Sequence, residues 1–435
     1  MSEISESSLS LAATLTTERV ARMSGIKGTT WLDSTLTVGD RGTRSLYAEH
    51  PAFELLLNNG ILTLATEGKL FRSVSGTRDA LALLEKLVNE EPRTAIGFIS
   101  YEASLDFLDL PHFRNADTPD IHFFIYDQVE WQQQSESLQS TEGYGALREE
   151  DTSPLRRQAQ LMSGSRIDYG LYRRQVERIK QHIFEGDIYQ ANLTHRFDVR
   201  SRIAPFEAYQ ILRALNPSPY GAYINFGTYQ ILSSSPERMF VRQGDSVTTG
   251  PIKGTIHRGK NESQDQENVR LLRASQKDLA EHLMIVDLER NDLGRIAQIG
   301  TVCVDDLFRP ERYSSLIHLT SDISATLRPG CSFTDLCEAM LPGGSISGAP
   351  KRRAVEILSE IEETPRGVYT GCIGYLTKDR ADFNIAIRTI VHQNGLYHVH
   401  AGGAIVADST PESEYQEMLL KARNMFRALG AEMTA

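Results

Sequence analysis

The sequence predicts a mixed α+β fold containing antiparallel sheet, on three observations. Short strand signals follow one another at 190–197, 221–226, 229–233 and 238–242 with few helix signals between them, the pattern of antiparallel sheet. Two later stretches, 261–293 and 412–429, read as long helices. The N-terminal third mixes both kinds of element.

In chain order, the apolar runs at 60–64, 95–101 and 121–126 predict strands bounded by turn residues. Leu81, Leu83, Leu84 and Leu87 give residues 80–88 the apolar face of a helix. Residues 132–166 lose this patterning and fill with Gln, Ser, Glu and Arg, as a connector does. A second unit starts at Asp168, where Tyr172, Val176, Ile179 and Ile183 share a helical face and Gly186 supplies a stop. The chain therefore divides into residues 1–160, an N-terminal subdomain with connector, and residues 161–435. The helix predicted at 261–293 contains no Gly or Pro and ends at Gly294.

Composition excludes several functions. The 435 residues are 40% hydrophobic and 24% charged, and no apolar run approaches the roughly 18 residues of a membrane helix. No membrane partner is expected. A formal net charge of −11 opposes nucleic-acid binding, which needs a basic footprint. The N-terminus lacks the basic and apolar regions of a secretory signal, so a cytoplasmic location is expected. Cys303, Cys331, Cys337 and Cys372 form no Cys-x-x-Cys pair, which indicates reduced thiols rather than zinc or disulfides.

Chemistry concentrates in the second half. Lys253 lies between Gly250 and Gly254, downstream of the carboxylate-bearing turn Ser235-Pro236-Glu237, and an amine held there can act as a nucleophile. Glu414, Glu417 and Lys421 stand at i, i+3 and i+7 of one predicted helix; Asp278 and Glu281 repeat the i, i+3 spacing on another. Two such carboxylate pairs suit Mg2+, although spacing alone favours two solvated helix faces. Gly402-Gly403-Ala404 offers either an anion-approachable backbone or a tight turn. The glycine-rich stretch 342–351 lacks the spacing of a nucleotide-binding loop. Arg388 suits bidentate carboxylate binding or a structural salt bridge, and His318 a ligand contact or a satisfied core position.

Several ordered blocks carry a family resemblance over most of residues 168–430. They are Asp187-Ile188-Tyr189-Gln190-Ala191-Asn192-Leu193, Pro251-Ile252-Lys253-Gly254-Thr255, Asp287-Leu288-Glu289-Arg290-Asn291-Asp292, Ser347-Gly348-Ala349-Pro350-Lys351 and the Glu414/Glu417/Lys421 set. Together they resemble the chorismate-utilising enzymes, and residues 30–131 resemble that family's N-terminal portion. The resemblance implies an α+β fold of two large antiparallel β-sheets packed together with helices outside. It makes 161–435 the chorismate-binding catalytic domain.

Within that family, alanine at the position of Lys253 marks the anthranilate-forming branch. Lysine there marks the branch that makes 4-amino-4-deoxychorismate from chorismate and ammonia. The position of Gln190 is lysine in the water-using members, so glutamine also points to ammonia. The resemblance further implies that Glu281 and Glu417 bind Mg2+ with Asp278 and Glu414 nearby. Tyr375, Arg388, the amides near Gly402 and Lys421 would hold the enolpyruvyl carboxylate. Glu237 would be the general acid, and His318 and Ser347 would contact the substrate near the reacting ring.

Two departures stand out. Ser347 replaces a common threonine but keeps the hydroxyl, and Ala404 occupies a position often glycine, where positive φ would strain it. No glutaminase motif is present, since the Gly371-Cys372-Ile373-Gly374 run lacks a nucleophile elbow's spacing. Ammonia then comes from solution or from a separate glutamine amidotransferase subunit, and the product feeds 4-aminobenzoate and folate synthesis. The competing readings are an anthranilate synthase component and a catalytically silent chorismate-binding or subunit-interaction protein.

Overall fold

Alternation along the strands decides the layering. In the computed structural model, which describes residues 17–112, 116–133, 159–162, 168–313 and 316–431, strand Ile121–Tyr126 is buried at every position. Phe123 and Ile125 pack into one apolar cluster while Phe124 and Tyr126 pack into another. Successive side chains of a strand point to opposite faces, so an unbroken apolar run marks a strand covered on both sides. Strand Thr94–Ile99 behaves alike, with Ala95 and Ile99 facing one cluster and Ile96 and Phe98 the other. Each such phenylalanine contributes roughly 1.5–3 kcal/mol by leaving water.

Among the described residues two antiparallel sheets form, their strands counted within those residues. The first has ten strands, in the order Gly348–Ala349, Gln190–Ser201, Leu396–Ile405, Thr389–Gln393, Tyr229–Ser235, Tyr220–Asn225, Thr30–Asp33, Arg44–Ala48 and Glu130–Gln133, with Ala159–Leu161 also pairing Gln190–Ser201. The second has twelve. They run Ile252–His257, Leu316–Thr326, Ser246–Gly250, Arg238–Gln243, Arg380–Ile385, Cys372–Leu376, Thr94–Ile99, Ile121–Tyr126, Phe53–Asn58, Ile61–Thr66 and Lys69–Val74, with Cys303–Arg312 pairing Leu316–Thr326. Apolar residues of both sheets, among them Phe98, Phe124, Ile224 and Ile231, form the layer between them. Residues of helices Tyr169–Phe184, Pro205–Leu215, Lys351–Ile361 and Pro411–Ala428 pack with the first sheet's other face. Thr77–Glu90, Gln276–Gly294 and Phe333–Met340 do the same for the second. The expected pair of large antiparallel sheets with helices outside is what the chain forms.

The change of texture near residue 160 is a feature of the sequence, and strands from either side of it enter both sheets. Most of the connector assigned to 132–166 lies outside the described residues. One prediction is corrected: 261–293 is two helices, Glu262–Ala274 and Gln276–Gly294. The break is at Ser275, whose φ/ψ of −72°/100° is extended and whose hydroxyl accepts a hydrogen bond from the Asp278 amide at 3.3 Å. A serine cap ends one helix and starts the next without glycine or proline. Asp168 likewise caps Tyr169–Phe184, accepting from the Leu171 amide at 3.2 Å.

Candidate active site

Lys253 lies on strand Ile252–His257 at the end of the second sheet, opposite Leu319. Pairing slips between Lys253 and Thr255, and Gly254 there has φ +76°, a conformation that a side chain would strain. A Cβ on Gly254 would stand 3.3 Å from Leu272 Cδ1 and 3.4 Å from the Asp278 Cβ, so this turn brings the lysine strand against the helix of Asp278 and Glu281.

Lys253 is half-buried. Loss of water is the largest influence on it and lowers its proton affinity; Lys421 acts in the same direction, and Glu237, Glu281 and Glu417 oppose them. The net shift is downward, toward a neutral amine. Residues from three separate segments therefore act on one nitrogen.

Glu237 precedes strand Arg238–Gln243 and is 5% exposed. Burial pushes its carboxyl up, against the pull of Lys253, Ser345, the Ile252 amide and Arg41. Its Oε1 makes no hydrogen bond among the described residues, and neither does the adjacent Ser345 hydroxyl. A buried carboxyl oxygen without a partner is costly and is the kind of group a ligand satisfies.

Arg388, at φ +50°, donates from Nη1 to Asn216 Oδ1 at 2.8 Å. Burial lowers its proton affinity, while Tyr313 and Glu237 act to raise it. His318 is 4% exposed, and its Nδ1 lies 2.8 Å from Thr255 Oγ1. Burial, reinforced by Arg388, pushes its pKa down to about 3, so the ring is neutral at neutral pH. Ser347 is buried, and its hydroxyl donates to the Gly343 carbonyl at 2.7 Å.

The C-terminal helix Pro411–Ala428 faces the same region. Lys421 Nζ donates to the Gly402 carbonyl at 3.1 Å and pairs with Glu417 Oε1 at 2.8 Å. The buried Glu414 accepts from Ser409 Oγ at 2.7 Å. A Cβ on Gly403 would lie within 3.5–3.9 Å of Glu414, Lys421 and Glu417 together. Strand Thr389–Gln393 pairs with Leu396–Ile405 only as far as Val399, so beyond it one edge of the 400–405 backbone has no strand partner among the described residues. Ala404 lies in this regular strand and takes no positive φ, so its replacement of glycine carries no strain.

Tyr375 is placed elsewhere. Its hydroxyl accepts from Arg380 Nε at 2.8 Å, its ring meets Trp131 edge-on, and it lines an open cleft with Asp33, Ser34, Arg44, Tyr220 and Asp382. The carboxylates of Asp278, Glu281, Glu414 and Glu417 do not come within 4.8 Å of one another as a group of three or more; among the described residues His182, Glu185 and Asp187 do. His182 there bonds Asp187 at 2.7 Å and Arg353 reaches it at 3.3 Å, an ion-paired helix end. Cys372 is fully buried and burial pushes its thiol up, consistent with a structural role.

Sequence reasoning missed His282 and Arg41. His282 is fully buried, with Nδ1 3.4 Å from the Lys253 carbonyl and Nε2 2.7 Å from Ser321 Oγ. Burial pushes its pKa down to about 4. Arg41 is also fully buried and pairs with Glu311 at 3.1 Å and Asp322 at 2.7 Å. His282 directly follows Glu281, the one signal that could have drawn attention to it.

Two packed antiparallel sheets thus carry a buried acid, an amine and a guanidinium, with carboxylates of two helices acting on the same amine. The particular family follows from comparison. A family model described as chorismate binding enzyme matches residues 35–427, and the chain belongs to this family of chorismate-utilising enzymes. It is 37% identical to aminodeoxychorismate synthase component 1 of Bacillus subtilis over 359 residues, covering 77% of this chain and 76% of that protein. It is 45% identical to anthranilate synthase component 1 of Pseudomonas aeruginosa over 259 residues, covering 59% of this chain and 53% of that protein. The chain thus aligns with about half the length of the latter. The crystal structure of anthranilate synthase component I from Streptococcus pneumoniae superposes with a TM-score of 0.73 at 31% identity, covering 90% of this chain and 93% of that one.

Proposed function

We propose that the chain is an aminodeoxychorismate synthase component, converting chorismate and ammonia to 4-amino-4-deoxychorismate and water. The observation that carries this reading is the Lys253–Glu237 pair. An acid whose proton affinity is raised beside an amine whose proton affinity is lowered favours the proton on the carboxyl and a free lone pair on nitrogen. Hydroxide is a poor leaving group, so Glu237 protonates the C4 hydroxyl as it departs. Lys253 adds at C2 of the ring as the C4–O bond breaks, and its excess proton returns to Glu237. Ammonia then adds at C4 as the C2–N bond breaks and Glu237 protonates the departing lysine nitrogen, and the new C4 ammonium returns a proton to Glu237, regenerating the free enzyme.

Arg388 and Lys421 hold substrate carboxylate, with the amides near Gly402 completing that contact. His318, neutral, donates or accepts a hydrogen bond without adding charge. Ser347, whose hydroxyl proton is committed to Gly343, presents lone pairs only. Oxygen donors on two helices that both act on Lys253 suit a hard divalent cation, and Glu281 and Glu417, with Asp278 and Glu414 nearby, would hold Mg2+. When bound it supplies positive charge for the substrate's ring carboxylate.

A separate glutamine amidotransferase supplies ammonia in this reading, as the component 1 designation of the relatives suggests. A second reading, anthranilate formation, is favoured by the 45% identity to an anthranilate synthase component. Incubating the purified protein with chorismate, Mg2+ and ammonium separates the two. Aminodeoxychorismate supports the first, fluorescent anthranilate the second, and no turnover contradicts both.

A further inference from the structure

Near the acid–amine pair lies a buried carboxyl that this chemistry does not use. Glu289, on helix Gln276–Gly294, is 4% exposed, and its Oε2 lies 2.7 Å from Thr249 Oγ1. The same hydroxyl lies 2.7 Å from the Met239 carbonyl oxygen. A threonine hydroxyl has one proton to donate, and it faces two oxygens.

The backbone and the chemistry of the two oxygens decide which receives it. Arg238 pairs with Gly250 on one side and Asn384 on the other. Pairing then slips on both sides, resuming at Val241 and at Phe240. Met239 is the residue skipped in both registers, and a bulge leaves its extra residue outside the ladder. Of the two oxygens only the carboxyl can carry a proton of its own, so giving the Thr249 proton to the Met239 carbonyl satisfies both contacts. The remaining short contact then needs a proton from Glu289.

The surroundings agree. Burial is the largest influence on Glu289 and raises its proton affinity; Glu237 and Asp292 add to this, and Thr249 and Lys351 act against it, leaving the pKa at about 8. Lys351 is engaged by Asp292 at 2.8 Å.

We propose that Glu289 is a neutral carboxylic acid that donates its proton to Thr249 and thereby locks the Met239 bulge, which fixes the placement of Glu237 two residues earlier. Glu289 is a positioning residue. Ionising it would leave two acceptors competing for one threonine proton and would set a negative charge near Glu237. The inference rests on Glu237 as the acid of the site, and it holds for either reaction of chorismate.

Infrared difference spectroscopy tests it. At neutral pH, wild type minus Glu289→Gln should show the carbonyl stretch of a protonated carboxyl that shifts in D2O. A difference containing only carboxylate bands would overturn the proposal. Thr249→Val removes the acceptor, so the carboxylic-acid band should move in frequency; an unmoved band would also overturn it. Neither readout requires turnover, so the proposed function can fail while this inference stands.

Discussion

At the residue scale, the site depends on where one proton resides. Moving it from Lys253 to Glu237 removes a pair of opposite charges from a poorly solvated place, and the directions of both shifts reflect that gain. The proposed reaction consumes both neutral forms, so it predicts a rate that falls as rising pH ionises Glu237 and falls again as acid protonates Lys253. Glu237→Gln keeps the shape and loses the proton. We predict a fall in kcat of about 10²–10⁴-fold with little change in KM, measured by steady-state turnover with ammonium. Lys253, Arg388 and His318 could be singled out in the sequence because each stands among apolar or glycine neighbours, and Glu237 because it closes a Ser-Pro turn. Tyr375 was named only through the family resemblance, and the wall it lines was not legible. Strand alternation gives two faces and does not say which space each face borders. His282 and Arg41 were not legible, since their partners lie on elements remote in sequence.

At the element scale, two glycines shape the site for different reasons. Gly254 turns the lysine strand at φ +76°, whereas Gly402 lets neighbouring strands approach. A Cβ on Gly402 would stand 2.3 Å from the Leu193 carbonyl, closer than any real contact. Gly402→Ala therefore destabilises the fold by about 1–3 kcal/mol, measured by urea denaturation; an unchanged midpoint would contradict this account of the strand. Gly403, where the added carbon meets its neighbours at 3.5 Å or more, has room for the same change. The sequence suggested an anion-approachable backbone at this pair, and the sheet supplies a second demand for glycine that composition does not reveal. The helix break at Ser275 escaped detection for a similar reason. A serine inside a polar, glycine-free stretch looks like any helical residue until its hydroxyl is seen on the Asp278 amide.

At the scale of the whole molecule, strands from both halves of the sequence complete both sheets, so the texture change near residue 160 and the architecture follow different rules. Within the described residues, no helix is long and apolar enough to cross a membrane. Buried titratable groups also set how stability responds to pH. His318 is lowered from 6.5 to about 3, so its contribution is present above 6.5 and lost as pH falls toward 3. Glu289 is raised from 4.5 to about 8, so its contribution is present below 4.5 and lost as pH rises toward 8. Thermal melts should therefore show wild type losing stability relative to His318→Asn on acidification, and relative to Glu289→Gln on alkalinisation. Parallel pH curves would contradict both assignments.

The two-sheet frame was reached through the family resemblance, while the apolar runs at 95–101 and 121–126 marked strands without showing which sheets they join. What the amine does within that frame is settled by chemistry. The most direct measurement is chromatographic identification of the product formed from chorismate, Mg2+ and ammonium by wild type and by Lys253→Ala. The account predicts 4-amino-4-deoxychorismate from wild type and at least a 100-fold loss, on the order of a missing nucleophile, from the variant. Anthranilate from wild type, or undiminished aminodeoxychorismate from Lys253→Ala, would contradict it.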